Sequence, residues 1–309
     1  MKRTVIIGVS TMIIGLICFA LGLGNGGNRP VYWDHGLSVE SSSRSVDKTP
    51  HSQQFNKVKR IKLTAAHAVK IQRGDVSSVH VDYHGKTKVT QTGSQLVVAG
   101  PQVHTRWRIA IFGGSGGFEA VAPKTAGTVI TIPKSTKLDA IDAHSDEDGH
   151  NDNDDYFNLT GLTVGKVSYS GDGDLSIQRV HVTDTLTTSG IGDVNLSKSQ
   201  FDKANLSSDV GDVDLKSNTF NKLDIKSDTG DISFNPQVIK QSFRAYSDVG
   251  DIDGRIYVDK RTHVTLNTDV GDKSLFGHSN SEYGLENGSH PVNYRFSTDV
   301  GDITINKAS

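Results

Sequence analysis

Cysteine is nearly missing from this chain: one residue in 309, Cys18, inside the first long apolar run. No disulfide framework can form, so stability outside a reducing compartment would have to come from the fold itself. A thiol nucleophile is excluded beyond that run. Proline (7) and methionine (2) are scarce, and aromatic residues make up only 7%. The twelve histidines are scattered and no His-Glu pair occurs. No recognised nucleic-acid-binding motif is present, and nucleic acid is a poor expected partner. What is abundant is glycine (32), beside Asp, Ser and Thr and short Val/Ile/Leu runs. That composition points to many tight turns and short strands.

Net charge is −2, but it is unevenly placed. Residues 1–138 hold 18 Lys and Arg against 6 Asp and Glu, and residues 139–309 hold 15 against 29. A basic proximal part would be drawn to anionic lipid or an anionic wall polymer, an acidic distal part to a cationic peptide or an envelope protein. A surface that is merely polarised and solvated explains the same numbers.

Val5 to Gly24 contains no charged residue and follows Lys2 and Arg3. As a helix rising about 1.5 Å per residue it would cross a hydrocarbon core of roughly 30 Å. The basic flank keeps the N-terminus cytoplasmic, so the expectation is a single-pass cell-membrane anchor, 1–27, with the remainder extracellular. A cleaved signal peptide is the rival reading, with Ala20-Leu21-Gly22 as a weak cleavage site. Residues 28–54 read as a flexible linker, with Tyr32-Trp33 suited to the headgroup level.

Beyond residue 54 the chain repeats itself. Ser/Thr, Asp/Gly, any residue, Gly, Asp and usually an aliphatic residue recur seven times, the clearest copies being SDVGDV from Ser208 and SDVGDI from Ser247. The phrase glycines are Gly173, Gly192, Gly211, Gly230, Gly250, Gly271 and Gly301, spaced 19, 19, 19, 20, 21 and 30 apart. Apolar residues alternate on both sides, as in Leu223/Ile225 before one turn and Ile232/Phe234 after it. Period two marks a strand with one buried face. A unit of strand, turn and strand is too small to cover its own apolar face and must stack on its neighbours. The expected fold is all-β: a single parallel β-solenoid (β-helix) over 55–309 with about 19–21 residues per coil. Residues 55–138 form a degenerate basic start and 139–309 the regular acidic repeats. An antiparallel meander with each D-x-G-D at a hairpin is the alternative.

The S/T-D-x-G-D repeats, the N-terminal apolar segment and the linker together resemble the bacterial adhesin β-strand-repeat family. That family includes Lia-type extracytoplasmic proteins of Gram-positive envelope-stress systems. The resemblance covers about Phe55 to Ser309 and is strongest from Val167 onward. It implies a membrane-linked, non-catalytic module for binding, adhesion or envelope-stress sensing, and brings no established binding residues.

Stacked coils would bring aspartates into columns about 5 Å apart, where like charges repel by roughly 1 kcal/mol per pair in water. Two remedies are open. Backbone N–H groups can bond the carboxylates, or cations, Ca²⁺ foremost, can bridge them at Asp209, Asp212, Asp228, Asp231, Asp248 and Asp251. The acidic loop 144–155 is a second place for a cation or simply a solvated segment. Residues 106–118, RWRIAIFGGSGGF, could present Trp107, Phe112 and Phe118 as a contact tip beside Arg106 and Arg108, or bury them in a strand–turn–strand. Arg73-Gly74-Asp75 spells an integrin tripeptide that recurs by chance. A polysaccharide-active enzyme and a passive scaffold remain as alternatives. The regular ladder argues against the first, because an active site is a local departure from a repeat.

Overall fold

The computed structural model describes residues 31–33, 37–39, 49–64, 68–100, 106–110, 117–121, 127–145, 156–284 and 291–308. The apolar run 5–24 lies outside them, and no helix among the described residues is long and apolar enough to cross a membrane. The described secondary structure is entirely β. The chain divides into two units, residues 1–45 with 103–123, and 46–102 with 124–309.

The smaller unit is a four-stranded antiparallel sheet in the order Gly117–Val121, Arg106–Ala110, Val31–Trp33, Leu37–Val39. Two of these strands fall in the stretch expected to be a flexible linker. Val31, Tyr32 and Trp33 are β-branched or aromatic, which suits them to a pleated sheet.

The larger unit is two twelve-stranded, mostly parallel sheets sharing one apolar core. Over the acidic part each coil places a long strand in one sheet, turns at Gly-Asp, and places a short strand in the other. Gln200–Val210 and Val213–Lys216 make one coil; Thr219–Thr229 and Ile232–Phe234 make the next. Like sits on like: Leu206 pairs with Ile225 and Leu215 with Phe234. Because the strands flanking each D-x-G-D belong to different sheets, the turn is not a hairpin and the meander is ruled out. The alternating apolar flanks face the core, with Leu223 and Ile232 fully buried. Aromatic rings stack along it, Phe201 on Phe220 at 5.0 Å and Phe234 on Phe296 at 5.4 Å.

The opposite corner, from short strand to next long strand, is polar. Ser199, Asn218 and Gln237 are buried there, one per coil. The Val180 N–H donates to Ser199 Oγ (3.0 Å), the Ser199 N–H to Asn218 Oδ1 (3.0 Å) and the Asn218 N–H to Gln237 Oε1 (2.8 Å). Asn218 Nδ2 also donates to the Leu196 carbonyl at 2.8 Å. These side chains satisfy backbone groups that the change of sheet would strand in the interior. Asn218→Ala orphans the Ser199 N–H and removes the bond to the Leu196 carbonyl, so it should cost about 1–3 kcal/mol by chemical denaturation.

Two features depart from a parallel coil wound in sequence order. At the basic end the pairing is mixed. Pro50–Phe55 and Val79–His84 are antiparallel, as are Lys88–Thr92 and Gln95–Ala99, joined by a tight turn at Gly93 with φ +59°. The one Gly-Asp of this part, Gly74-Asp75, lacks the Ser/Thr-Asp of the full phrase, and the strands on either side of it, Val69–Gly74 and Val79–His84, stay in one sheet. At the far end the last two coils exchange places. Val292–Val300 lies between Val238–Val249 and Thr262–Val270, and Ile303–Lys307 lies between Ile252–Ile256 and Lys273–Leu275. The C-terminal strand Ile303–Lys307 is therefore interior to its sheet. Coil 262–275 sits outside it, and Glu282–Tyr283 pairs antiparallel to the edge of that coil.

Candidate functional site

The Gly-Asp corner generates the regular surface of the larger unit. The phrase glycines stack with φ between +120° and +151°. A Cβ on Gly211 would lie 2.4 Å from the Gly192 carbonyl oxygen, and one on Gly250 2.1 Å from that of Gly230. Both conformation and crowding therefore require glycine. The Ser/Thr position beneath is buried at Ser208, Ser227, Ser247 and Thr298 and half-buried at Thr268. Thr298 Oγ1 donates to the Gly250 carbonyl and Thr268 Oγ1 to that of Gly301, each at 3.0 Å.

The aspartate after each glycine is tied to the next coil. The Asp193 N–H donates to Asp174 Oδ1 at 3.0 Å, Asp212 to Asp193 and Asp231 to Asp212 at 2.9 Å, and Asp251 to Asp231 at 2.8 Å. The column continues through Asp302 to Asp272, again at 2.8 Å, following the exchanged coil order. Backbone N–H groups thus answer the carboxylate repulsion, from coil to coil. Among the described residues no group of three or more His, Cys, Asp or Glu is arranged to hold a metal ion. That includes Asp209, Asp212, Asp228, Asp231, Asp248 and Asp251.

Repulsion still leaves a mark one strand inward. Burial first, then the charges of Asp212 and Asp193, raise the Asp214 carboxyl above the usual range. Asp253 is raised by burial and then by Asp251. A carboxyl raised in the folded state opposes folding above its ordinary value, and the penalty lifts as pH falls through the raised one. Asp214→Asn should therefore raise the melting temperature at neutral pH, with the gain shrinking as the buffer is acidified through the carboxylate range.

The first aspartate of the phrase forms an outer row, Asp209, Asp228, Asp248, Asp299 and Asp269 in stacking order. Lys226 Nζ meets Asp228 at 2.6 Å. The Tyr246 hydroxyl donates to Asp299 Oδ2 at 2.9 Å. The phenol is held well above its usual range by hydrogen bonding to Asp248 and then Asp299. Between the two acidic rows runs the variable residue of each phrase. Ile191, Val210, Thr229, Val249, Val300 and Val270 pair in that order. Val210, Val249, Val300 and Val270 are 51%, 50%, 48% and 63% exposed. Sequence reasoning passed over this row because its position had no fixed identity; its spacing equals that of the glycines.

Other expected sites are dispersed. Trp107 and Phe118 lie on the small antiparallel sheet, where Trp107 is paired with Trp33, and Phe112 lies outside the described residues. Gly113 to Gly117 spells Gly-x-Ser-x-Gly, but the strands on either side pair directly, Ala110 with Gly117. Ser115 itself lies outside the described residues, and the segment that follows, Gly117–Val121, is a strand and not the helix that a nucleophile elbow enters. His80 and His84 occupy one strand, where four residues span about 13 Å, too far for a shared metal. Arg73 and Gly74 end a strand, paired with Ile132 and Pro133, and the exposed Asp75 meets Lys134 at 3.5 Å, so the tripeptide runs out of a strand and is not the tip of a loop. Of the acidic loop, residues 146–155 fall outside the described set.

Solved structures of similar architecture exist at low identity. One is described as a candidate adhesin from Bacteroides fragilis, 15% identical, with 85% of this chain and 100% of that one covered and a TM-score of 0.45. Another is described as a candidate lipid-binding protein from Parabacteroides distasonis, 13% identical, covering 86% and 100%, with a TM-score of 0.43. No curated protein matches the chain. The model of one family matches residues 58–306, almost the whole of the larger unit. The chain belongs to the Toastrack DUF4097 family.

Proposed function

We propose that the protein is a non-catalytic binding module of the cell envelope, carried on the extracytoplasmic side by the apolar segment 5–24. The observation that carries this reading is the three-row corner, in which identical groups repeat coil after coil on a scaffold fixed by glycine packing and backbone bonds. Such an edge offers many weak, equivalent contacts, which suits recognition of an extended ligand. Its inner carboxylates accept backbone N–H bonds, an arrangement that holds structure together and leaves no acid–base pair set apart from its neighbours.

The test uses the full-length protein. Affinity recovery from its own membranes should return a specific partner, and that partner should raise the melting temperature of the purified chain by mass action. Recovery of nothing above an untagged control, with no ligand-dependent shift in melting, would mean a passive scaffold. Fractionation should place the intact chain with the membrane, and alkaline extraction should fail to release it.

A further inference from the structure

The aliphatic row is the one part of the corner that the fold does not need. The glycines are enforced by sterics, the inner aspartates by backbone bonds and the buried hydroxyls by the interior. Nothing of that kind holds a hydrophobic residue between the acidic rows. An extended backbone explains a β-branched residue there, and Thr229 meets that demand while staying polar. Yet four of the eight exposed large hydrophobic residues among the described ones stand in this row. They are not scattered: Val210, Val249, Val300 and Val270 follow the coil axis with only Thr229 between, at about 4.8 Å per step.

We propose that this ridge is the docking surface for a cationic amphipathic peptide segment, whose aliphatic side lies along the valines while its basic residues reach the aspartates on either flank. The proposal rests on the reading of the protein as a binding module and names the partner of that module. Charge complementarity selects the occupant. A second copy of the chain would set carboxylate rows against carboxylate rows. Anionic lipid and nucleic acid are repelled for the same reason. A plain polycation would satisfy the acidic flanks and leave the valines in water. Only a ligand with both characters uses all three rows. The inner carboxylates bond backbone N–H groups, and in the outer row Asp228 bonds Lys226. From Ile191 to Val270 the ridge spans five steps, about 24 Å, enough for roughly 16 residues of helix.

The full-length protein, held in nanodiscs of zwitterionic phosphatidylcholine, is titrated with a 16-residue amphipathic leucine–lysine helix. A scrambled isomer and an oligolysine of equal charge serve as controls, and empty nanodiscs as the reference. Support is affinity for the amphipathic peptide about tenfold or more above both controls, reduced by salt. That advantage should vanish in the Val210→Ser/Val249→Ser/Val300→Ser variant while melting moves by less than about 2 °C. Asp209→Asn/Asp269→Asn, which changes charge and leaves the valines in place, should weaken binding independently. Equal affinity for the three peptides, or full affinity in the valine variant, overturns the proposal. If the peptide is not retained while membrane recovery still returns a partner, the ridge assignment fails alone. If both come back empty, the binding reading fails with it.

Discussion

Gly230→Ala is expected to destabilise the protein by about 3–5 kcal/mol, the range of the most disruptive single substitutions. The new Cβ would stand 2.2 Å from the Gly211 carbonyl oxygen and 2.7 Å from its carbon. Both are backbone atoms of the coil below, so no rotamer change relieves the clash. The residue also holds φ at +139°, where an L side chain is strained regardless of space. Moving the strand away would break the Asp231–Asp212 bond and shift the Gly250 layer above. Gly93→Ala separates the two causes. There φ is +59° and no atom lies within 4 Å of the added methyl, so the cost should be only about 1–2 kcal/mol. Urea denaturation of the two variants checks the contrast. Equal losses would mean that conformation alone, and not the stacking of backbones, demands glycine at the corner.

Phe243→Ala is expected to cost about 3–5 kcal/mol through the cavity it opens. The ring is fully buried and lies 4.9 Å from Phe234 and 5.0 Å from Phe296, with Tyr294 beyond at 6.4 Å. Phe234 and Phe243 belong to successive strands in opposite sheets, whereas Phe296 comes from the coil inserted above them. Removing Phe243 therefore loosens the seat of residues 292–307 as well as its own layer. Hydrogen exchange should show the amides of Val292–Val300 opening more readily in this variant than those of Gln200–Val210. Val210→Ala, half exposed on the ridge, should stay within about 0.5 kcal/mol of the parent.

Much of the regular part was legible because its rules are local. The nineteen-residue return of Gly-Asp set the corner, and alternation around it set which residues face inward, down to Leu175, Ile177, Ile303 and Ile305. The polar corner was missed for a chemical reason. Ser199, Asn218 and Gln237 do one job with three side chains of different length, so identity conceals a spacing that is again nineteen. The exchange of the last two coils could not be read from the residues that make it. Val264/Leu266 and Tyr294/Phe296 present the same alternating face, and either would stack on Phe243/Ala245. Only the thirty-residue gap between Gly271 and Gly301 hinted that the chain travels before it returns. The mixed pairing of the basic part escaped because no repeated phrase fixed its register. The ridge was hidden by convention: a position written as "any residue" is easily treated as filler.

The exchanged order has a consequence for biogenesis. If the polypeptide emerges N-terminus first, each coil up to Ile256 can settle on a surface already made. The segment Thr262–Leu275 cannot, because its own seat is supplied by residues synthesised later. It has to wait, unpaired along one side, until residues 292–307 arrive and bridge it to Val238–Val249, partners that stand about fifty positions apart in the chain. Closing so long a loop is slow compared with winding one more turn. Completion of this end is therefore the step at which translocation, proteolysis and assembly compete, and a chain stopped before residue 292 would leave the nascent stack with an open edge.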